Sequence, residues 1–253
     1  MVSVVIVIQI IEPPASEIPD QPHPNQPIKP ASSLLILDMQ NGQPHVLMGC
    51  RSKKHAFMPN VYVFPGGRVD GPDKFAPFAT DITPATLAQL QKTSPKNKSG
   101  PIVARAFALA ALRETFEESG LLISKPAAAP NHSKNLLWQP FLSHGQLPDL
   151  SQLRYLARAV TPPGRIRRYD TRFFTVPREA VELELENYPT NELENQIWVP
   201  IKGGQDVKIP WITRRILAEV ESRISSEQSL SLSDKAQIPV YAMHYGRHTR
   251  QLI

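Results

Sequence analysis

The stretch Arg113-Glu114-Thr115-Phe116-Glu117-Glu118-Ser119-Gly120 decides how this chain reads. Placed on a helix, residues 105–119 put Leu109, Leu112 and Phe116 on one side, flanked by Ala108, Thr115 and Ser119, as a core-facing stripe. Glu114, Glu117 and Glu118 fall on roughly the opposite side, where their spacing brings three carboxylates together. Like-charge pairs at this spacing cost a helix about 0.2–0.5 kcal/mol each. Arg113, one turn before Glu117, offsets part of that cost. A bound hard cation such as Mg²⁺ or Mn²⁺, which takes oxygen ligands, offsets more. A solvated acidic face is the ordinary reading of such a helix, so its surroundings carry the decision.

Upstream, Pro101 suits the first turn of this helix, and Gly120 suits its end. Residues 61–64 predict a strand that stops at Pro65-Gly66-Gly67, where two glycines let the backbone bend sharply toward the helix. Residues 33–38 and 46–49 predict a β-hairpin around Asn41-Gly42, with a loop slightly longer than the tightest type. Downstream, residues 124–146 look irregular and 150–159 look helical. Residues 168–176 and 196–200 read as strands. Pro210 opens a helix to about Ile224, and residues 239–243 form a last strand.

Residues 1–30 divide into an apolar N-terminal tail and a proline-rich arm, and residues 31–253 form the folded domain. An insertion at about 71–104 interrupts that domain; its Pro, Thr, Lys and Ser content surrounds one helical patch at 83–92. Cys50 is the only cysteine, which rules out an intramolecular disulfide and a cysteine-cluster zinc site and suits a reducing, cytoplasmic setting. The formal net charge of +5 suits an anionic small molecule. No nucleic-acid-binding motif accompanies it, and no apolar run reaches the length of a membrane span. A homodimer is compatible with the sequence. His244 and His248 lie four apart, but no Glu follows His244 as a zinc-protease helix requires.

Phe64-Pro65-Gly66-Gly67 together with Arg113-Glu114 through Gly120-Leu121 resembles the Nudix hydrolase signature, G-x5-E-x7-R-E-U-x-E-E-x-G-U, with U aliphatic. Thr115 stands where an aliphatic residue is usual. Gly67 and Arg113 lie 46 positions apart rather than 14, so 32 residues are extra. Counting back from Arg113 places Arg105 where the motif has its first Glu, and Asp70 is a candidate substitute. A family branch that includes the peroxisomal coenzyme A diphosphatase type carries a long insertion at this place. Residues 58–67, 161–163, 168–174 and 198–200 resemble that branch too.

The resemblance implies an α/β fold, a Nudix-type α/β/α sandwich with a mixed central sheet. It implies hydrolysis of a diphosphate bond in a nucleoside-diphosphate-linked small molecule, with coenzyme A or an acyl-coenzyme A among the candidates. Glu114, Glu117 and Glu118 are then the ligands of Mg²⁺ or Mn²⁺. Arg113 orients them, and Glu117, Glu118 and Arg113 form the catalytic set. Gly66 and Gly67 contact substrate through their main chain. Arg168 and Arg172, in the densest basic run, bind its phosphates, with a solvated strand edge as the competing reading. Glu192 and Glu194 are candidates for a general base that stays unassigned. A non-catalytic nucleotide-binding module on the same fold is the alternative.

Overall fold

A computed structural model of the chain describes residues 8–18, 23–52, 60–95, 99–127, 135–186, 188–189, 193–203 and 207–253. The first half supplies strands β1 (Ile8–Ile10), β2 (Ile28–Gln40), β3 (Gln43–Arg51), β4 (Tyr62–Val63) and β5 (Gly66–Arg68), then helices α1 (Pro84–Thr93) and α2 (Pro101–Ser119). Small elements follow: β6 (Leu121–Leu122), β7 (Ser124–Pro126), α3 (Gln139–Leu142) and β8 (Gln146–Pro148). The second half supplies β9 (Arg154–Val160), β10 (Arg168–Pro177), β11 (Leu183–Glu184), β12 (Leu193–Pro200), α4 (Trp211–Glu227), β13 (Pro239–His244) and β14 (Arg247–Leu252).

The main sheet runs β1-β14-β13-β9-β10-β2-β3-β12, with β4 added to β3 and β5 to β2. β10 pairs with β2, and β13 with β9, in parallel; the other main-sheet pairs are antiparallel, so the sheet is mixed. Leu34, Leu35, Ile36 and Leu37 in β2 are all fully buried, the mark of a strand covered on both faces. Successive side chains go to opposite cores. Leu34 and Ile36 join α1, α2 and α3 on one face. Leu35 and Leu37 join Ile216, Leu217 and Val220 of α4 on the other. The result is the expected α/β/α sandwich. Among the described residues no helix is long and apolar enough to cross a membrane.

Several local expectations change. Gln40 pairs directly with Gln43, and Asn41 and Gly42 have φ of 50° and 75°. The hairpin loop is therefore the tightest two-residue kind, with both central residues left-handed. Residues 150–159, expected as helix, form a turn and then β9. This strand is covered on both faces: Tyr155 enters the α2-side core, and Leu156 and Ala159 enter the other. A strand buried on both sides has no polar alternation, so its apolar run imitates a helix. β14 is the opposite case. It is too rich in Arg, His, Thr and Gln to read as a strand, yet it is paired on both sides, by β1 and β13.

The ends and the insertion are also more integrated than composition suggests. β1 extends the main sheet, so the described part of the apolar N-terminal run is sheet; residues 1–7 and 19–22 lie outside the described residues. Within the insertion, α1 docks on the sheet. Arg158 Nη1 donates to the Thr93 carbonyl at 2.6 Å, and the Thr93 and Tyr155 hydroxyls lie 3.0 Å apart. Gln89 Nε2 donates to the carbonyls of Asp234 and Ala236. Because the described parts of the insertion and residues 121–127 and 135–150 pack around α2, that helix is buried almost all round, including Arg113 and Glu118.

Candidate active site

The acidic helix meets the sheet at the two glycines. In β5, Gly66 lies opposite Ser33 of β2 and Gly67 opposite Ser32. The Gly66 N–H donates to Glu118 Oε2 at 2.7 Å. A Cβ on Gly66, whose φ is +155°, would fall 2.4 Å from the Ser32 carbonyl oxygen and 2.7 Å from Ser33 Cα. Both are backbone atoms, so only glycine fits this crossing. A Cβ on Gly67 would meet something else, the Glu114 carboxylate, at 2.3–2.7 Å. The first glycine admits the strand, and the second leaves room for an acid.

Arg113 organises that acid. Its side chain is 2% exposed. Nη1 donates to Glu114 Oε1 at 2.9 Å and to Glu117 at 3.2–3.3 Å. Nη2 donates to the Arg68 carbonyl at 2.9 Å. The far side of the guanidinium forms a forked pair with Asp73, through Nε at 2.9 Å and Nη2 at 3.1 Å. Asp73 is wholly buried, and Trp138 Nε1 and the Asp70 N–H also donate to it, at 3.0 and 2.8 Å. Burial alone would lower the Arg113 pKa; the hydrogen bond to Asp73 and the charges of Glu114, Asp73 and Glu117 outweigh it and raise that pKa. Arg113 is thus a fixed cation that holds Glu114 and Glu117 from behind.

Asp73 is the acid that counting back from Arg113 misses. It stands six positions after Gly67, where the motif has its first Glu, and the 32 extra residues all fall between Asp73 and Arg113. Arg105 instead pairs with Asp81 at 2.7 Å. Asp70, the substitute expected from the sequence, is the wrong candidate. Its side chain is 38% exposed and lies 3.6 Å from Arg68. It contributes its backbone N–H to Asp73, not its carboxylate to Arg113. Asp70 and Asp73 close the short turn 71–75 on each other as a capping box.

Beside the glycines opens a cleft of about 910 Å³ that Glu114, Glu117, Gly66, Gly67 and Arg113 line along one edge. Glu117 is the most open of the three acids, 38% exposed against 13% for Glu114, and Glu118 is buried. The cleft floor is the α4-side face of the sheet, with Lys29, Tyr169, Thr171 and Phe173; Trp211 and His248 form the far wall. Ile11, Pro13, Glu17 and Gln26 form another wall. Glu17 Oε1 accepts from the Trp211 N–H at 2.8 Å.

The basic run divides. Arg168 lines the cleft, where Nη1 donates to Asn25 Oδ1 at 2.7 Å and Nε to the Thr161 carbonyl at 3.2 Å. Arg172 does not bear out its expected role as a phosphate ligand. It points to the α2 face, 1% exposed, 2.5 Å from Asp170 and stacked 4.2 Å over the Phe107 ring. Arg172 lies mid-strand and alternates with Thr171 and Phe173, which line the cleft, whereas Arg168 is the first residue of β10 and is held at the strand's end by Thr161 and Asn25. Glu194 is exposed on β12 and is absent from the cleft lining, and Glu192 lies outside the described residues. His244 and His248 sit on the two strands of a hairpin.

The three glutamates offer only oxygen donors, which suits a hard divalent cation. Among the described residues no three acidic, His or Cys side chains already converge on one point. Arg113 holds two of the carboxylates and the Gly66 N–H holds the third. Glu114 and Glu117 line the cleft, whereas Glu118 is buried and outside its lining.

Comparison with known proteins points to one family. A family model described as the NUDT19 Nudix domain matches residues 27–198. The chain is 28% identical over 172 residues to the acyl-coenzyme A diphosphatase NUDT19 of Gallus gallus, covering 49% of this chain and 46% of that protein. It is 35% identical over 101 residues to the protein of the same name from Xenopus laevis, covering 32% and 26%. The matched regions thus span less than half the length of these curated relatives. Among solved structures, a NUDIX hydrolase from Alicyclobacillus acidocaldarius aligns with a TM-score of 0.55 at 25% identity, over 76% of this chain and 90% of that one. The matched segment contains the glycine turn, Asp73, the acidic helix and most of the sheet, and the chain belongs to the Nudix superfamily through the NUDT19 Nudix domain family.

Proposed function

We propose that this chain is a divalent-metal-dependent diphosphatase acting on coenzyme A or an acyl-coenzyme A in a cytoplasmic setting. The observation that carries the reading is the Glu114 carboxylate seated against Gly67 at the cleft edge, held from behind by a buried Arg113–Asp73 pair. The names of the relatives supply the substrate class. Glu114, Glu117 and Glu118 would hold Mg²⁺ or Mn²⁺. When bound, the metal supplies charge neutralisation on the diphosphate and activation of water.

The chain's own residues do the rest. Arg113 fixes the orientation of Glu114 and Glu117, so ordering them at the moment of reaction costs little. Gly67, without a Cβ, leaves the Glu114 carboxylate its place against the main chain at the cleft edge. Arg168, tied to the residue 25–26 segment and to Thr161, adds fixed positive charge at the end of the cleft away from the acids, along which an anionic substrate extends. Asp73, at the spacing of the motif's first acid and paired with Arg113, supports a working site over a non-catalytic module.

Incubation with coenzyme A, ADP-ribose and NADH plus Mg²⁺ or Mn²⁺ tests the proposal. Turnover of coenzyme A is expected; no turnover of any substrate, together with no metal binding by calorimetry, would sink it. Glu118→Gln keeps an oxygen for the Gly66 N–H but removes the charge. Turnover should fall at least about a hundredfold with the fold intact, and near wild-type rates would remove Glu118 from the site.

A further inference from the structure

The charges around the cleft do not balance locally. Arg68 lies near Asp70, Arg165 faces the charge of Glu17, Arg168 bonds Asn25, and Arg51 has partners of its own. The side chains of Lys29 and Arg167, both exposed and both lining the cleft, make no hydrogen bond or ion pair among the described residues. They also lie close together. In the parallel pairing of β2 with β10, Lys29 is opposite Tyr169 and Ile28 is opposite Arg168, so Arg167 sits at the same end of the two strands.

Gly67, against which Glu114 rests, is opposite Ser32. Ser32 and Lys29 are three residues apart on β2, about 10 Å at ~3.3 Å per residue. Two unneutralised cations therefore stand in the same cleft as the carboxylates, but too far along the strand to share one diphosphate with the metal. Isolated cations on a cleft wall are natural partners for a second, separate phosphate. Tyr169, beside Lys29, adds an aromatic surface.

We infer that Lys29 and Arg167 form a second anion subsite that reads a phosphate monoester carried on the ribose of the substrate, distinct from the diphosphate that is cut. The inference rests on the proposed diphosphatase reading for its relevance to turnover, but its test does not. Calorimetric titration with adenosine 3′,5′-bisphosphate and with AMP, at one fixed low ionic strength, compares wild type with the double variant Lys29→Ala/Arg167→Ala. Wild type should bind the bisphosphate about tenfold or more tighter than AMP, the scale of one charge-assisted contact. The double variant should lose that difference while binding AMP and unfolding thermally as wild type does. Equal affinity of wild type for the two ligands, binding of neither, or equal weakening of both in the variant would overturn the subsite.

A parallel assay separates the two readings. With coenzyme A and 3′-dephospho-coenzyme A as substrates, the variant should raise KM for the first alone and leave kcat unchanged. An enzyme inert toward both substrates refutes the diphosphatase reading, and the titration still decides the subsite.

Discussion

Replacing Asp73 by Asn isolates the role of the buried pair. Asp73 accepts four hydrogen bonds: Arg113 Nε and Trp138 Nε1 reach Oδ1, and Arg113 Nη2 and the Asp70 N–H reach Oδ2. A carboxylate can accept all four; an Asn amide puts two donors where one oxygen stood, so two of the four contacts become donor against donor. Arg113 also loses the one fully buried counter-charge it has among the described residues. Orphaning one member of a buried ion pair costs about 3–5 kcal/mol. Glu114 and Glu117 still touch the guanidinium, which puts the expected loss at the low end, about 3 kcal/mol. For a chain of this size that is roughly 6–12 °C in Tm.

Urea unfolding of Asp73→Asn beside Asp70→Asn measures it. The exposed Asp70, 3.6 Å from Arg68, should cost less than about 0.5 kcal/mol. Turnover of Asp73→Asn should fall about tenfold or more, because Glu114 and Glu117 lose the fixed cation that aims them. If the two variants were equally mild, or if Asp70→Asn were the damaging one, the assignment of Asp73 as the first acid of the motif would be wrong.

The adjacent glycines should separate stability from activity. Gly66→Ala drives a Cβ into the Ser32 and Ser33 backbone and should cost about 1–3 kcal/mol of stability. Gly67→Ala meets the Glu114 carboxylate rather than backbone, so Tm should fall less than in Gly66→Ala while turnover and metal affinity drop; a Gly67→Ala enzyme with normal kinetics would detach Glu114 from the site. Arg172→Ala should destabilise by about 3 kcal/mol, as expected for a buried cation lost from Asp170, whereas Arg168→Ala should raise KM with little change in Tm; the reverse pattern would restore Arg172 to the cleft. The pH dependence follows Asp170. Burial pushes its carboxyl up, but the hydrogen bond from Arg158 and the charge of Arg172 prevail and hold it below the usual carboxylate range. Its contribution is therefore complete above about pH 4, the ordinary Asp value, and is lost as pH falls through the lower folded value. Asp170→Asn should flatten that acid limb of stability measured by urea titration.

What could be read from residues alone follows physical range. β2 and α2 were legible because their signals are local: an unbroken apolar run for a doubly covered strand, and Pro101 and Gly120 as helix ends, with Gly120 at φ +72°. The cleft's outer walls were not, because Ile11, Trp211 and His248 are generic in their own neighbourhoods and acquire meaning only when β1, β14 and α4 pack around one sheet face. Arg172 shows the same limit on a smaller scale. Its place in a basic run suggested phosphate, yet its position in the strand alternation sent it into the core.

Asp73 lies between these cases, and the reason is mechanical. Its distance from Gly67 is set by the short turn that carries it under Arg113, where its own carboxylate closes the turn through the Asp70 N–H. A residue inserted between Gly67 and Asp73 would break that turn. The distance from Asp73 to Arg113 is closed through space by the forked pair, and the chain between is free to lengthen; each doubling of a flexible loop costs only about 0.6 kcal/mol. An inserted segment that then packs a helix of its own, as α1 does against β9, adds burial to offset even that. The physical constraint thus dictates which half of the split motif keeps its spacing, and counting forward from the glycine is the direction that finds the acid.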